Sequence, residues 1–253
     1  MEPFRLEERV AVVVGGATGI GFAIAQGLGH AGATVVVSSR SQSTGEVAVK
    51  ALRQEGCQAA YIPVDLTSMA SIDALTDSVM RVHGRVDVLV NSAGAMSRKS
   101  AEEISEQDWD WVMDVNMKGV FFTCQRIGHE MIRARRGSII NLSSVRSVKM
   151  GPNRSVYATS KAAVSNLTRA LAYEWGKYGV RVNAIAPGTT ITEFNREHFE
   201  RNPEELTAIV ESIPLCRTGD VADYGSAAVF LASDASCFVT GHVLFVDGGT
   251  TIC

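Results

Sequence analysis

No apolar run in the chain reaches the ~18 residues that a membrane-crossing helix needs. The opening stretch MEPFRLEERV has no apolar segment ahead of the first strand-like run, so no secretory leader is expected. No two cysteines are close. Cys57, Cys124, Cys216, Cys237 and Cys253 are odd in number and form no CxxC pair. That excludes a disulfide framework and fits reduced thiols in a soluble, cytoplasmic protein. Neither sign of charge dominates: the formal net charge is −3, with signs mixed along the chain. Such a balance argues against a nucleic-acid or anionic-membrane partner. The one dense basic run, Arg133, Arg135 and Arg136, reads as a solvated helix end. There is no internal repeat and no low-complexity segment. What remains is 253 residues, 46% hydrophobic and 20% charged, which suits one large α/β domain with a full core.

Short apolar, β-branched runs alternate with helical patterns. Strands are predicted over 10–14, 34–39, 58–64, 86–90, 138–142, 180–186 and 242–246. Helices are predicted over 20–30, 44–55, from about 68, and over 106–133, 156–178 and 220–233. This rhythm implies right-handed βαβ units and a parallel sheet covered by helices on both faces.

The first strand runs into Gly15-Gly16-Ala17-Thr18-Gly19-Ile20-Gly21 and then into a helix. Glycines permit a tight turn and close backbone approach, and a helix N-terminus offers free N–H groups to a pyrophosphate. The second strand ends Ser38-Ser39-Arg40, with no acid until Glu46. A carboxylate there would select the ribose hydroxyl of NAD, whereas an arginine accommodates the phosphate of NADP. NADP(H) is therefore expected as the preferred cofactor, with NAD(H) possible, Arg40 as phosphate partner and Ser38 or Ser39 as hydroxyl donors. The plain alternative is that Arg40 is a solvated loop residue. Asp65, at the third strand's end, either accepts a bond from the adenine amino group or caps the next helix. Asn91-Ser92-Ala93-Gly94 follows the fourth strand, with small residues that let backbone lie against a cofactor.

The segment from Ser144 to Lys161 carries the chemistry. Tyr157 and Lys161 are four residues apart, one turn of a helix, and Ser144 lies thirteen residues before the tyrosine. A nearby ammonium is expected to lower the tyrosine's ordinary pKa of ~10 towards useful proton transfer. Asn116 sits inside the predicted helix 106–133, where asparagine is unfavourable. It is either functional or a polar residue with a satisfied hydrogen bond.

The ordered set of these motifs resembles the short-chain dehydrogenase/reductase family over nearly the whole chain. The resemblance implies a single Rossmann-type domain, doubly wound around a seven-stranded parallel sheet. It maps the catalytic tetrad onto Asn116, Ser144, Tyr157 and Lys161. Tyr157 would be the general acid or base, Lys161 would lower its pKa and bind the nicotinamide ribose, and Ser144 would hold the substrate oxygen. Asn116 would anchor a water of a proton relay. Cofactor contacts would come from Gly15, Thr18, Gly19, Ile20, Gly21, Ser39, Arg40, Asp65, Leu66, Asn91, Ala93, Gly94, Tyr157, Lys161, Pro187, Gly188, Thr190 and Thr192. A homotetramer is implied as well. Three positions depart from the family pattern: Val14 stands where a threonine usually precedes the glycine turn, Ser92 replaces an asparagine, and Thr190 an apolar residue. The first is expected to cost the turn one hydrogen bond.

Residues 194–212 are polar, contain Pro203 and interrupt the βα rhythm. They read as a substrate lid of one or two short helices, within a lid region of 193–215 between a core of about 8–192 and a C-terminal piece of 216–253. Glu193, Glu197, His198 and Glu200 read as a solvated helical face rather than metal ligands, and no metal is expected. Within the family the chain resembles sugar-acid and polyol dehydrogenases. Arg98, Arg146, Lys149 and Arg154 are candidate substrate contacts, Arg146 suiting a carboxylate, or else surface cations. A 3-oxoacyl-thioester reductase, a reductase of hydrophobic ketones and a non-catalytic dinucleotide-binding protein are the alternatives.

Overall fold

Val10–Val14 forms β1, buried at all five positions. Successive side chains of a strand face opposite sides, so a strand covered on both needs apolar residues throughout. The same pattern produces β2 (Thr34–Ser38), β3 (Ala59–Tyr61), β4 (Val88–Asn91), β5 (Gly137–Leu142), β6 (Val180–Pro187) and β7 (Val243–Val246). They make one seven-stranded sheet in the order β3-β2-β1-β4-β5-β6-β7, every neighbouring pair parallel. The computed structural model describes residues 2–252. Cys253, counted among the thiols above, lies outside the described residues.

The described residues form nine α-helices: α1 (Gly19–His30), α2 (Gln42–Gln54), α3 (Met69–His83), α4 (Glu106–Met113), α5 (Val120–Ala134), α6 (Ser155–Trp175), α7 (Arg196–Arg201), α8 (Pro203–Glu211) and α9 (Asp223–Ala232). α1, α2 and α9 cover one face of the sheet, burying Ile24, Leu28, Leu52, Tyr224 and Leu231. α3, α5 and α6 cover the other, burying Ile72, Leu75, Ile127, Met131 and Leu171. The doubly wound α/β architecture expected from the sequence is the one observed.

Two expectations are corrected. β3 is shorter than 58–64: ladder pairing with β2 covers Ala59–Tyr61, and beyond it only single bonds continue, Ile62 N to Val37 O and Val64 N to Ser39 O, each 3.1 Å, with Pro63 between them at the sheet's edge. The predicted helix 106–133 is three pieces: α4, a π-helical turn at Asp114–Gly119, and α5. A π turn leaves no mark on a 3.6-residue hydrophobic period, yet it often accompanies a functional site. Trp109, on α4, is 44% exposed. The basic run does end a helix: Arg135 closes α5 with φ 53°, while Arg136 reaches the buried Asp87 carboxylate at 3.1 Å.

α1 and α9 touch through glycine. A Cβ on Gly27 would lie 3.0 Å from both Cα and the carbonyl oxygen of Gly225. Backbone cannot yield as a flexible side chain does, so a larger residue must push the helices apart. Gly27→Val is expected to lower unfolding stability by about 1–3 kcal/mol, the usual cost of overpacking, read as a reduced urea midpoint with an unchanged slope. An unchanged midpoint would show that the two helices are not in forced contact.

Candidate active site

In this strand order the chain reverses direction of winding between β1 and β4, and open α/β sheets place their crevice at that point. A cleft of about 850 Å³ lies there, outside the carboxyl ends of the strands. The turn after β1 forms one wall. Gly15 has φ +80°, and a Cβ on it would sit 2.4 Å from Ala93 N. Val14, lacking the expected threonine hydroxyl, does not leave the turn loose. Gly15 N donates to Ser38 O at 2.7 Å, and Val14 O accepts from Ser92 N and Ala93 N at 2.8 and 3.1 Å. Ser92 has its own role, since its Oγ packs where a Cβ on Gly21 would be, 2.9 Å away.

Thr18, Gly19, Ile20 and Gly21 line the cleft. Thr18 caps α1 without any side-chain hydrogen bond, and the first N–H groups of a helix have no partner within it. These donors, with the positive end of the helix dipole, fit a pyrophosphate. Ser39 and Arg40 line the next part. Ser38 does not: it is fully buried. Ser41 and Thr44, not singled out from the sequence, also face the cleft at the start of α2, where Ser41 Oγ accepts from Thr44 N at 3.4 Å. A serine just before a helical pattern was the available signal. A guanidinium beside a helix N-terminus suits a ribose phosphate. Asp65 is the nearby carboxylate. Its Oδ1 accepts from Thr67 N and Oγ1 at 2.9 and 2.8 Å, and these bonds, helped by Arg40, hold it below the usual carboxylate range. Ser68 rather than Asp65 caps α3.

Leu66, Ala93, Gly94, Pro187, Gly188, Thr190 and Thr192 all line the cleft as expected. Thr190 lends little of its hydroxyl to it, because Oγ1 is bonded to Tyr224 Oη at 2.5 Å. Asn91 is corrected. Its side chain points into the core, 2% exposed, and donates to Asn141 Oδ1 at 2.9 Å and Cys124 Sγ at 3.2 Å. It supports the turn from behind.

Ser144 lies just past the end of β5, capping a short 3-10 turn, and Tyr157 and Lys161 lie one turn apart at the start of α6. All three line the cleft. Lys161 is buried, its Nζ donating to Leu142 O at 2.7 Å and standing 5.8 Å from the Tyr157 ring centroid. Burial pushes its pKa down to about 8. Burial also pushes the Tyr157 phenol up; the Ser144 hydroxyl and then the guanidinium groups of Arg146, Arg154 and Arg98 pull it back. In this geometry the groups that favour the phenolate are the Ser144 hydroxyl and the three arginines, while Lys161 is held to Leu142 O. Asn116 is fully buried in the π turn and does not line the cleft. Its Oδ1 accepts from Ala95 N at 2.7 Å, and its Nδ2 donates to Ala95 O and Ser160 Oγ at 2.8 and 2.9 Å. The side chain clamps the loop after β4 to α6, which leaves only its backbone for a water relay.

The substrate end holds Arg98, Arg146 and Arg154 against an apolar wall of Met96, Trp111, Val115, Phe194, Phe199 and Ile209. Only the arginines were singled out from the sequence. Lys149 is directed elsewhere, to Thr250 O at 2.9 Å. Residues 194–212 do form two short helices, α7 and α8, over this end. Within them Glu197 pairs with Arg201, and His198 Nε2 with Glu205 Oε2 at 2.8 Å.

Comparison with known proteins agrees with this geometry. A family model described as "Enoyl-(Acyl carrier protein) reductase" matches residues 15–251. The chain is 41% identical to 3beta-hydroxysteroid dehydrogenase 1 of Eggerthella lenta, over 98% of this chain and 95% of that one. It is 39% identical to 5-keto-D-gluconate 5-reductase of Escherichia coli K12, over 98% of each. Among solved structures, a gluconate 5-dehydrogenase from Burkholderia cenocepacia J2315 in complex with NADP and tartrate superposes with a TM-score of 0.95 at 37% identity, covering 99% of this chain and 98% of that one. The chain belongs to the short-chain dehydrogenase/reductase family.

Proposed function

We propose that the protein is an NADP(H)-preferring oxidoreductase that interconverts a secondary alcohol and a carbonyl on a sugar acid or polyol. The observation that carries this is one cleft in which Ser144, Tyr157 and Lys161 meet three arginines. When bound, the dinucleotide supplies or takes up the hydride at its nicotinamide ring. This chain's residues manage the proton and the position. Ser144 Oγ holds the substrate oxygen beside Tyr157 Oη. In reduction the phenol donates a proton to that oxygen; in oxidation the phenolate accepts it. Burial favours the neutral phenol, and the guanidinium groups and Ser144 offset that cost, so either form is accessible. Lys161, fixed by Leu142 O, is placed to bond the nicotinamide ribose. The apolar wall and lid exclude water, which strengthens each of these interactions.

Support for a sugar acid comes from the arginines and from relatives named for gluconate chemistry. A second reading, reduction of a hydrophobic ketone, is favoured by Trp111, Phe194 and Phe199 and by the steroid dehydrogenase relative. The 3-oxoacyl-thioester reading has less support, and a purely dinucleotide-binding protein has no use for the serine–tyrosine–lysine group. The reading extends to the cytoplasm, where the free thiols Cys57, Cys124, Cys216 and Cys237 stay reduced. It extends also to a homotetramer. Trp109, Tyr173 and Phe238, 44%, 91% and 101% exposed, are the large side chains offered for contact between copies of the chain.

Three measurements test this. Tyr157→Phe keeps the ring and loses the proton; its kcat is expected to fall by about 10²–10⁴, while NADPH still binds in a fluorescence titration. Near-normal turnover would remove Tyr157 from the acid–base role. Wild type is expected to favour NADPH over NADH in kcat/KM, and Arg40→Asp to reverse the order by repelling the ribose phosphate. A wild-type preference for NADH would sink the cofactor assignment. Sedimentation equilibrium is expected to give four chains per particle, and a monomer at micromolar concentration would refute the assembly.

A further inference from the structure

The substrate end holds more positive charge than one carboxylate would balance. Arg98 and Arg146 are half-buried and Arg154 is 9% exposed, and all three line the cleft around Tyr157. Their charges act on one another: Arg154 lowers the pKa of both Arg98 and Arg146, and burial lowers them first. Like charges do not gather in a partly desolvated pocket without a counter-ion. Among the described residues, one carboxylate bonds the cluster. Glu205 of α8 bonds Arg154 Nη2 through Oε1 at 3.4 Å, its other oxygen being held by His198 at 2.8 Å. Arg146 spends Nη1 on the carbonyls of Met150 and Lys149, at 2.8 and 3.4 Å, which fixes its direction without neutralising it. Among the described residues Arg98 makes no hydrogen bond and no ion pair. Glu193 lies on the cleft as well, but it is not among the charges that perturb Arg98 or Arg146. Lys161 adds a further cation at the catalytic end.

We infer that the substrate is a polyhydroxy acid bearing two anionic groups, a dicarboxylate or a phosphorylated acid, and that Glu205 is a positioning residue that holds Arg154 and partly balances the cluster until the substrate arrives. This rests on the sugar-acid reading above and deepens it. Three guanidinium groups set against one lid carboxylate leave two positive charges for the ligand. A lone carboxylate would satisfy one of them and strand the other in a pocket walled by Trp111, Phe194 and Phe199. The Ser144 and Tyr157 hydroxyls claim the reacting oxygen and do not contribute to this balance.

Steady-state kinetics with NADP+ tests it on the full enzyme. The probes are D-gluconate with one anionic group, D-glucarate and 6-phospho-D-gluconate with two, and uncharged sorbitol. One of the two doubly anionic probes is expected to exceed gluconate in kcat/KM by about 10- to 100-fold, the value of one further charge-assisted hydrogen bond. The two probes distinguish the dicarboxylate from the phosphate source. The advantage should lie in KM and shrink with added salt. Arg154→Gln should reduce the ratio. Glu205→Gln, which keeps polar contacts for Arg154 and His198 while removing the counter-charge, should raise it. Opposite signs for two neighbouring substitutions cannot come from a shared folding defect. If gluconate matches or beats both doubly anionic probes, the inference falls and the sugar-acid reading stands. If only sorbitol or a hydrophobic ketone turns over, both fall.

Discussion

The site depends on one backbone-to-backbone approach. The turn after β1 and the turn after β4 meet so closely that a Cβ on Gly15 would overlap Ala93 N. No side chain fits there, and the contact sets how the two halves of the sheet open. From it follow the direction of α1, the free N–H groups at its start, and the cleft at the reversal of strand order. Gly21 repeats the constraint one turn later, its missing Cβ making room for Gly15 O. The catalytic residues come from β5 and α6 on the far side. They are brought into reach because β4 pairs with both β1 and β5.

Much of this was legible in the sequence because it is local. A β-branched run, a glycine turn and a helix N-terminus are each written within ten residues or so, and the i, i+4 spacing of Tyr157 and Lys161 needs only a helix. All seven strands were placed, and the polar interruption after β6 does hold short helices, two of them. The misreadings involve partners distant in the chain. Asn91 carries a family motif, but its side chain belongs to a buried network with Asn141, Cys124 and Thr168. Thr190 faces the cleft yet gives its hydroxyl to Tyr224, thirty-four residues on. The π turn was invisible because its effect is on hydrogen-bond register, not on the pattern of apolar residues.

Asn116 shows how a sequence-level conflict becomes an architectural device. An asparagine inside a helix is unfavourable, and its amide needs three partners when buried. The π turn supplies the displacement that brings the amide to Ala95 and Ser160. Through Ser160, whose Oγ also donates to Tyr157 O at 2.7 Å, the clamp reaches the catalytic helix. The functional and the structural readings of Asn116 therefore concern different atoms: the side chain holds the frame, and its backbone alone is left for proton traffic.

The electrostatics of Tyr157 tie the reaction to α8. Desolvation lowers the pKa of Lys161, so an ammonium at that depth is itself a cost to be met by Leu142 O and by a bound ribose. The arginines are better suited to favouring phenolate, since a guanidinium keeps its charge when buried. Arg154 lies three residues before Tyr157 in the chain and pairs with Glu205 of the lid. Glu205 opposes the field that the arginines exert on the phenol, and an anionic substrate seated on the same arginines opposes it further. Substrate binding must then push the tyrosine back towards its protonated form. That form is the one reduction requires, so the charge that recognises the substrate also primes the acid.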